Sequence, residues 1–132
     1  KWDRLLARGH RVYGFATDDS HEYPAHAGRG WLMAQSDSRA ADDIVAALRA
    51  GRFYASTGVT VDAIDVHGLT AKVRAGNAER IRVVADNGRV LESVAGPVME
   101  FTADPKGKYS YIRFEFYGAG DAMAWLQPMF LE

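Results

Sequence analysis

Two residue types that bind divalent cations stand two positions apart in ATDDSH, residues 16–21: Asp19 and His21. Side chains in extended backbone alternate in direction, so Asp19 and His21 project to one side while Asp18 and Ser20 project to the other. Carboxylate oxygen and neutral imidazole nitrogen both suit zinc, iron or manganese, and a carboxylate beside an imidazole also makes an acid/base pair. A metal site is the first expectation. Asp18 is a secondary candidate ligand, and His26 in the loop that follows is another. The triplet by itself is unspecific, because a carboxylate that caps a loop and a histidine satisfied by a backbone carbonyl give the same pattern.

The apolar run VYGFA, residues 12–16, must present these groups, and its passage into acid, hydroxyl and imidazole predicts a buried parallel strand ending at solvent. Before it, KWDRLLARG predicts a short helix with Trp2, Leu5 and Leu6 on one face and Gly9 past its end. After the loop over 21–29, GWLMAQ at 30–35 predicts a second short strand. Ser38 offers an N-cap to a helix over 39–50, with Ala41, Ile44, Val45 and Leu48 as its apolar stripe. Asp42 and Asp43 near its start and Arg49 near its end suit the helix dipole, and Gly51 fits the position after the C-cap. FYASTG at 53–58 reads as a strand-like segment leading out of this part.

From Val59 the helical spacing stops and strand-length segments separated by turn residues follow one another. Strands are predicted over 61–67, 70–75, 80–85, 89–95, 98–103, 109–117 and 122–131. Asp86-Asn87-Gly88 predicts a type I′ turn, since Asn and Gly tolerate positive φ. Asp104-Pro105-Lys106-Gly107 predicts another turn. In YSYIRFEFY, Ser110, Ile112, Phe114 and Phe116 alternate with Tyr109, Tyr111, Arg113, Glu115 and Tyr117, the mark of a half-buried antiparallel strand. The fold class expected is α+β: an α/β part over 1–58 followed by a small antiparallel β-sandwich over 59–132.

Composition narrows the possibilities. In 132 residues, 48% are hydrophobic and 25% charged, which is the balance of an ordinary globular domain. A net charge of −1 gives no basic field for nucleic acid or anionic membrane, and no apolar run is long enough to cross a bilayer. With no cysteine, disulfides, thiolate metal sites and cysteine nucleophiles are impossible, and the redox compartment stays open. The first residues carry neither an initiator Met nor a signal-peptide pattern, so the chain is expected to be the carboxy-terminal piece of something longer.

Four stretches together carry a family resemblance: ATDDSH at 16–21, GRGWLMAQS at 28–36, AADDIVAALRAGRFYASTG at 40–58 and AWLQPMFLE at 124–132. In order and spacing the chain resembles the carboxy-terminal part of a PHP-domain metallohydrolase, the polymerase and histidinol phosphatase superfamily, in its CehA/McbA-like branch. Residues 69–108 match only in general character. The resemblance implies the end of a distorted (β/α)₇ barrel whose clustered His, Asp and Glu residues bind two or three divalent metals, Zn, Mn or Fe. Its late Asp-Xaa-His motif falls on Asp19 and His21. Glu22 stands where similar chains often have a second histidine, and it receives no role. The activity implied is hydrolysis of a phosphate ester or related bond by metal-activated water, on a small phosphorylated or ester substrate.

A catalytic zinc needs about three protein ligands, yet the imidazoles are only His10, His21, His26 and His67. On that count the chain alone is expected to be inactive or nearly so. Arg29 in GRG is the candidate contact for an anionic substrate, and Gly28 and Gly30 are a possible phosphate cradle or a flexible lead-in to the strand. Trp31 and Trp125 are expected in the core, and Ser56 and Thr57 in a bend held by hydroxyl-to-backbone bonds. The alternative function is a non-catalytic β-sandwich binding module, prompted by the aromatic-rich strand at 109–117. A barrel strand cut from its neighbours also predicts a homo-oligomer or strand exchange.

Overall fold

The computed structural model describes residues 1–131 as a mixed α+β protein dominated by two antiparallel sheets. Two helices, α1 (Trp2–Leu6) and α2 (Ala41–Arg49), accompany ten strands: β1 (Trp31–Ala34), β2 (Phe53–Ser56), β3 (Ala63–His67), β4 (Thr70–Arg74), β5 (Ala78–Ala85), β6 (Arg89–Ala95), β7 (Val98–Thr102), β8 (Tyr111–Gly118), β9 (Met123–Leu126) and β10 (Met129–Phe130). The larger sheet runs β1-β2-β9-β8-β5-β6, with β10 also on β8, and the smaller runs β3-β4-β7. No helix among the described residues is long and apolar enough to cross a membrane.

The core lies between the sheets. Ile81 and Val83 on β5, Ile112, Phe114 and Phe116 on β8, and Tyr54 and Leu126 meet Ala71 and Val73 on β4 and Met99 on β7. The alternation predicted for β8 is found, with Ile112, Phe114 and Phe116 in this cluster. The strand is not half-buried, however, since Tyr111 and Arg113 on its other face are buried as well. Burying residues of two facing sheets is what makes each amphipathic strand stable. Turn chemistry also holds. Asn87 and Gly88 take φ values of 60° and 79° between β5 and β6, and Asp104 accepts both Gly107 N–H on its carbonyl and Lys106 N–H on its side chain, each at 2.8 Å.

Several expectations are corrected. The larger sheet runs straight across position 58, because β2 pairs with β9 at Tyr54↔Leu126, Ala55↔Trp125 and Ser56↔Ala124. Residues 12–16 form no strand: they belong to no ladder, and Phe15 is 58% exposed. No strand among the described residues pairs with this segment, and its apolar side chains are only partly covered. The strand predicted over 122–131 divides into β9 and β10. Pro128 lacks the N–H a ladder needs, and the Gln127 side chain is drawn away to Gly14. Helix α2 exists almost as predicted, with Gly51 at φ 71° past its end, but its stripe is not buried. Ala47 is the buried residue, whereas Ile44 and Val45 are exposed. Trp31, expected in the core, is 38% exposed.

The outer face of the larger sheet is covered by α1 and the segment after it. Asp3 on α1 takes a bidentate bond from Arg113 on β8, Nε to Oδ1 at 2.8 Å and Nη2 to Oδ2 at 2.7 Å. Tyr111 Oη donates to Asp3 Oδ1 at 2.8 Å. The Arg113 guanidinium also lies 4.9 Å from the Trp2 ring centroid. Its Nη1 is 2.8 Å from Glu115 Oε1, an ion pair too poorly angled to count as a hydrogen bond. Tyr117 Oη completes the row by donating to Glu115 Oε2 at 2.7 Å. Burial raises the Tyr117 pKa, and its bond to the Glu115 carboxylate raises it further.

Candidate functional site

Segment 12–17 brings the ATDDSH residues to their place, and three contacts hold it. Trp2 Nε1 donates to the Val12 carbonyl at 3.0 Å. A Cβ on Gly14 would lie 2.8 Å from the Trp2 ring, so the indole packs directly on that backbone and a larger residue would have to displace it. The buried Gln127 side chain then binds Gly14 on both sides, Oε1 accepting from Gly14 N–H at 2.8 Å and Nε2 donating to Gly14 C=O at 2.9 Å. One amide group thus stands in for a neighbouring strand. Below it, Phe53 packs against Tyr13 and Phe15, with ring centroids 5.9 and 4.9 Å away.

Gln127 was not singled out by the sequence, where glutamine next to proline carries no signal. Replacing it with Leu is expected to cost about 1–3 kcal/mol, the penalty for stranding polar groups that had partners. The Gly14 amide should exchange with solvent faster in that variant, with the β8 amides unchanged. Equal protection of Gly14 in both proteins would show that the clamp does not hold the segment.

The acidic end is a turn and not an extended strand mouth. Asp19 has φ 48°, a left-handed conformation that aspartate tolerates better than most residues. This breaks the alternation expected over 18–21, yet Asp19 and His21 still converge because the His21 ring folds back. Its Nδ1 lies 2.9 Å from the Asp19 carbonyl oxygen and 4.0 Å from Asp19 Oδ1. A carbonyl only accepts, so Nδ1 is the donor in this contact, and in the neutral ring the lone pair then lies on Nε2. Both side chains are in water, His21 78% and Asp19 92% exposed.

Asp18 has a different occupation. Its Oδ1 accepts the Arg29 and Gly30 backbone N–H groups at 2.6 and 2.9 Å, tying the two ends of the intervening loop together. Those amide bonds, Gly30's first, hold the Asp18 carboxyl below the usual carboxylate range. The GRG amides that could have cradled a phosphate are therefore already spent on a resident carboxylate. Gly30 is also closed to other residues, since a Cβ there would lie 2.8 Å from the Thr17 carbonyl oxygen. His26 Nδ1 accepts the His21 backbone N–H at 3.3 Å, which takes up one of its two ring nitrogens. Arg29 is exposed beside this loop.

These residues do not complete a metal centre. Among the described residues no group of three or more His, Asp or Glu side chains is placed to hold an ion. The nitrogen of His21 nearest the Asp19 carboxylate is the protonated one, so joint binding of one cation requires one of the two exposed side chains to turn. His10 and His67 are exposed. Ser56 and Thr57 serve the bend: Ser56 Oγ donates to Val59 C=O at 2.7 Å, and Thr57 Oγ1 accepts from Met123 N–H at 3.0 Å.

A second concavity lies on the inner face, where the three-stranded sheet is too narrow to cover β1 and β2. This open cleft of about 530 Å³ is lined by Met33, Tyr54, Val61, Ile64, Leu126 and Met129 among others. The aromatic strand does not line it as a platform, for Tyr111, Phe114 and Phe116 are fully buried.

Fold and site together define a two-sheet antiparallel α+β protein that presents an exposed Asp-Xaa-His turn at one edge. No known family, curated protein or solved structure matches the chain.

Proposed function

We propose that this chain is the carboxy-terminal portion of a PHP-type metal-dependent hydrolase acting on a phosphate ester or related bond. In this reading the segment that carries ATDDSH, residues 16–21, belongs with the end of the (β/α)₇ barrel, while β1 and β2 belong to the larger antiparallel sheet. Asp19 and His21 supply two ligands to a divalent metal, and the remaining ligands come from beyond the described residues. The observation that carries the proposal is the state of His21. Its Nδ1 lies 2.9 Å from the Asp19 carbonyl oxygen, which leaves Nε2 as the nitrogen a neutral ring would offer a cation, the arrangement second-shell carbonyls impose on metal-binding histidines. The exposure of both side chains supports it, since a site completed by other segments must be open on that side.

The test is made on the natural polypeptide that carries this sequence, by metal content and phosphoesterase assay. Asp19→Ala and His21→Ala are each expected to weaken metal binding at least about tenfold, given that even outer-shell changes cost that much. Unchanged metal content and activity in both variants would end the assignment.

A second reading, a non-catalytic binding module, is supported by the inner cleft, whose size falls in the range of small-ligand sites. A nuclear magnetic resonance screen with glycans and small apolar ligands would then shift Met33 and Met129 methyl signals saturably. Absence of any saturable shift removes this reading.

A further inference from the structure

The two end strands of the larger sheet, β1 and β6, differ in kind. Strand β6 carries Arg89 and Glu92, and it pairs with β5 through an irregular register between Val83 and Val84. Charges and bulges are the devices that keep an edge from recruiting another strand. The edges of the smaller sheet are similar, with Asp65 on β3 and Glu100 on β7. Strand β1, reading WLMA, has no charge, no proline and an unbroken register with β2. Its other side belongs to no ladder among the described residues.

The side chains of β1 agree. Trp31 and Met33 lie opposite Ser56 and Tyr54, so they point to the inner face. There they are 38% and 45% exposed, and Met33 lines the cleft that the smaller sheet leaves open. An apolar strand with a free backbone edge and an uncovered face is half of an interface.

The geometry points to a second copy of this chain as the occupant, paired antiparallel through β1 about a two-fold axis perpendicular to the sheet. Such pairing keeps the same face of both copies on one side, so the two clefts adjoin and Trp31 and Met33 cover each other. Charge selects the register. Centred on Met33, the pairing sets Leu32 opposite Ala34 and Trp31 opposite Gln35. It also brings the Arg29 end of each copy to the Asp37 end of the other, twice by symmetry, and both residues are exposed. This interface stands whether or not Asp19 and His21 hold a metal.

Sedimentation of the intact chain from micromolar to millimolar concentration tests it, with Asp37→Arg, and Arg29→Asp combined with Asp37→Arg, alongside. The wild-type chain should dimerise. Two attractive exposed pairs made repulsive should weaken the Asp37→Arg dimer roughly tenfold, and the double reversal should restore it. The β1 amides should gain exchange protection with concentration. A wild-type monomer at millimolar concentration overturns the proposal, as does a dimer without β1 protection. An Asp37→Arg dimer of unchanged affinity, or a double reversal that fails to restore, overturns the register.

Discussion

Asp3→Ala is expected to destabilise the protein by about 3 kcal/mol, the lower end of what breaking a buried ion pair costs. The Arg113 side chain is 5% exposed, and Asp3 supplies its bidentate partner. Without that carboxylate the guanidinium keeps the Glu115 ion pair and the Trp2 ring, and Tyr111 Oη loses its Asp3 acceptor while retaining the Ala85 carbonyl at 3.2 Å. Urea unfolding would measure the loss as a lower midpoint. A change below about 0.5 kcal/mol would place the pair with ordinary surface ion pairs.

The same pair predicts acid sensitivity. Burial alone would raise the Asp3 pKa, but the bonds from Arg113 and Tyr111 outweigh it and the folded value is depressed. A depressed carboxylate contributes stability that is fully present above its unfolded pKa, about 3.9, and is lost as pH falls through the folded value. The wild-type protein should therefore lose stability below about pH 4 more steeply than Asp3→Ala. Parallel curves for the two proteins would contradict the linkage.

Phe114→Ala should cost about 3–5 kcal/mol, and Phe15→Ala under about 1 kcal/mol. Both phenylalanines stand in apolar, strand-like runs, and nothing in composition separates them. Phe114 is fully buried between the sheets, so truncation removes transfer energy and leaves a cavity. Phe15 is 58% exposed and touches one ring, that of Phe53. Thermal or urea unfolding of the two variants distinguishes the cases. Equal losses would mean that residues 12–16 are buried as a strand after all.

That contrast shows where sequence sufficed. Local chemistry was legible: the β8 alternation, the positive φ at Asn87 and Gly88, the Asp104 turn and the end of α2 at Gly51 each follow from residue type and near neighbours. What an apolar run packs against was not, because periodicity is silent about the partner. Residues 12–16 and the α2 stripe are apolar enough for a core, but Trp2 and Phe53 cover the first only in part, and Ile44 and Val45 of the second are exposed. Ser38 shows a finer shift: its Oγ accepts the Ala40 N–H and donates to the Asp43 carboxylate, while Ala40 itself occupies the N-cap. At the candidate site, the pairing of Asp19 with His21 was foreseen through a geometry the chain does not adopt. The Gln127 clamp, 113 residues from Gly14, has no local signature.

The docking of α1 on β8 bears on synthesis. Asp3 and Arg113 are 110 residues apart, so at the usual 5–20 residues per second a ribosome releases them roughly 6–20 s apart. Over that interval Trp2 and Leu6 have no sheet to rest on, and Gly14 awaits Gln127 longer still. The layer formed by α1 and residues 12–17 thus stays uncovered during that interval, and it locks only once β8 and the residues up to Gln127 have emerged.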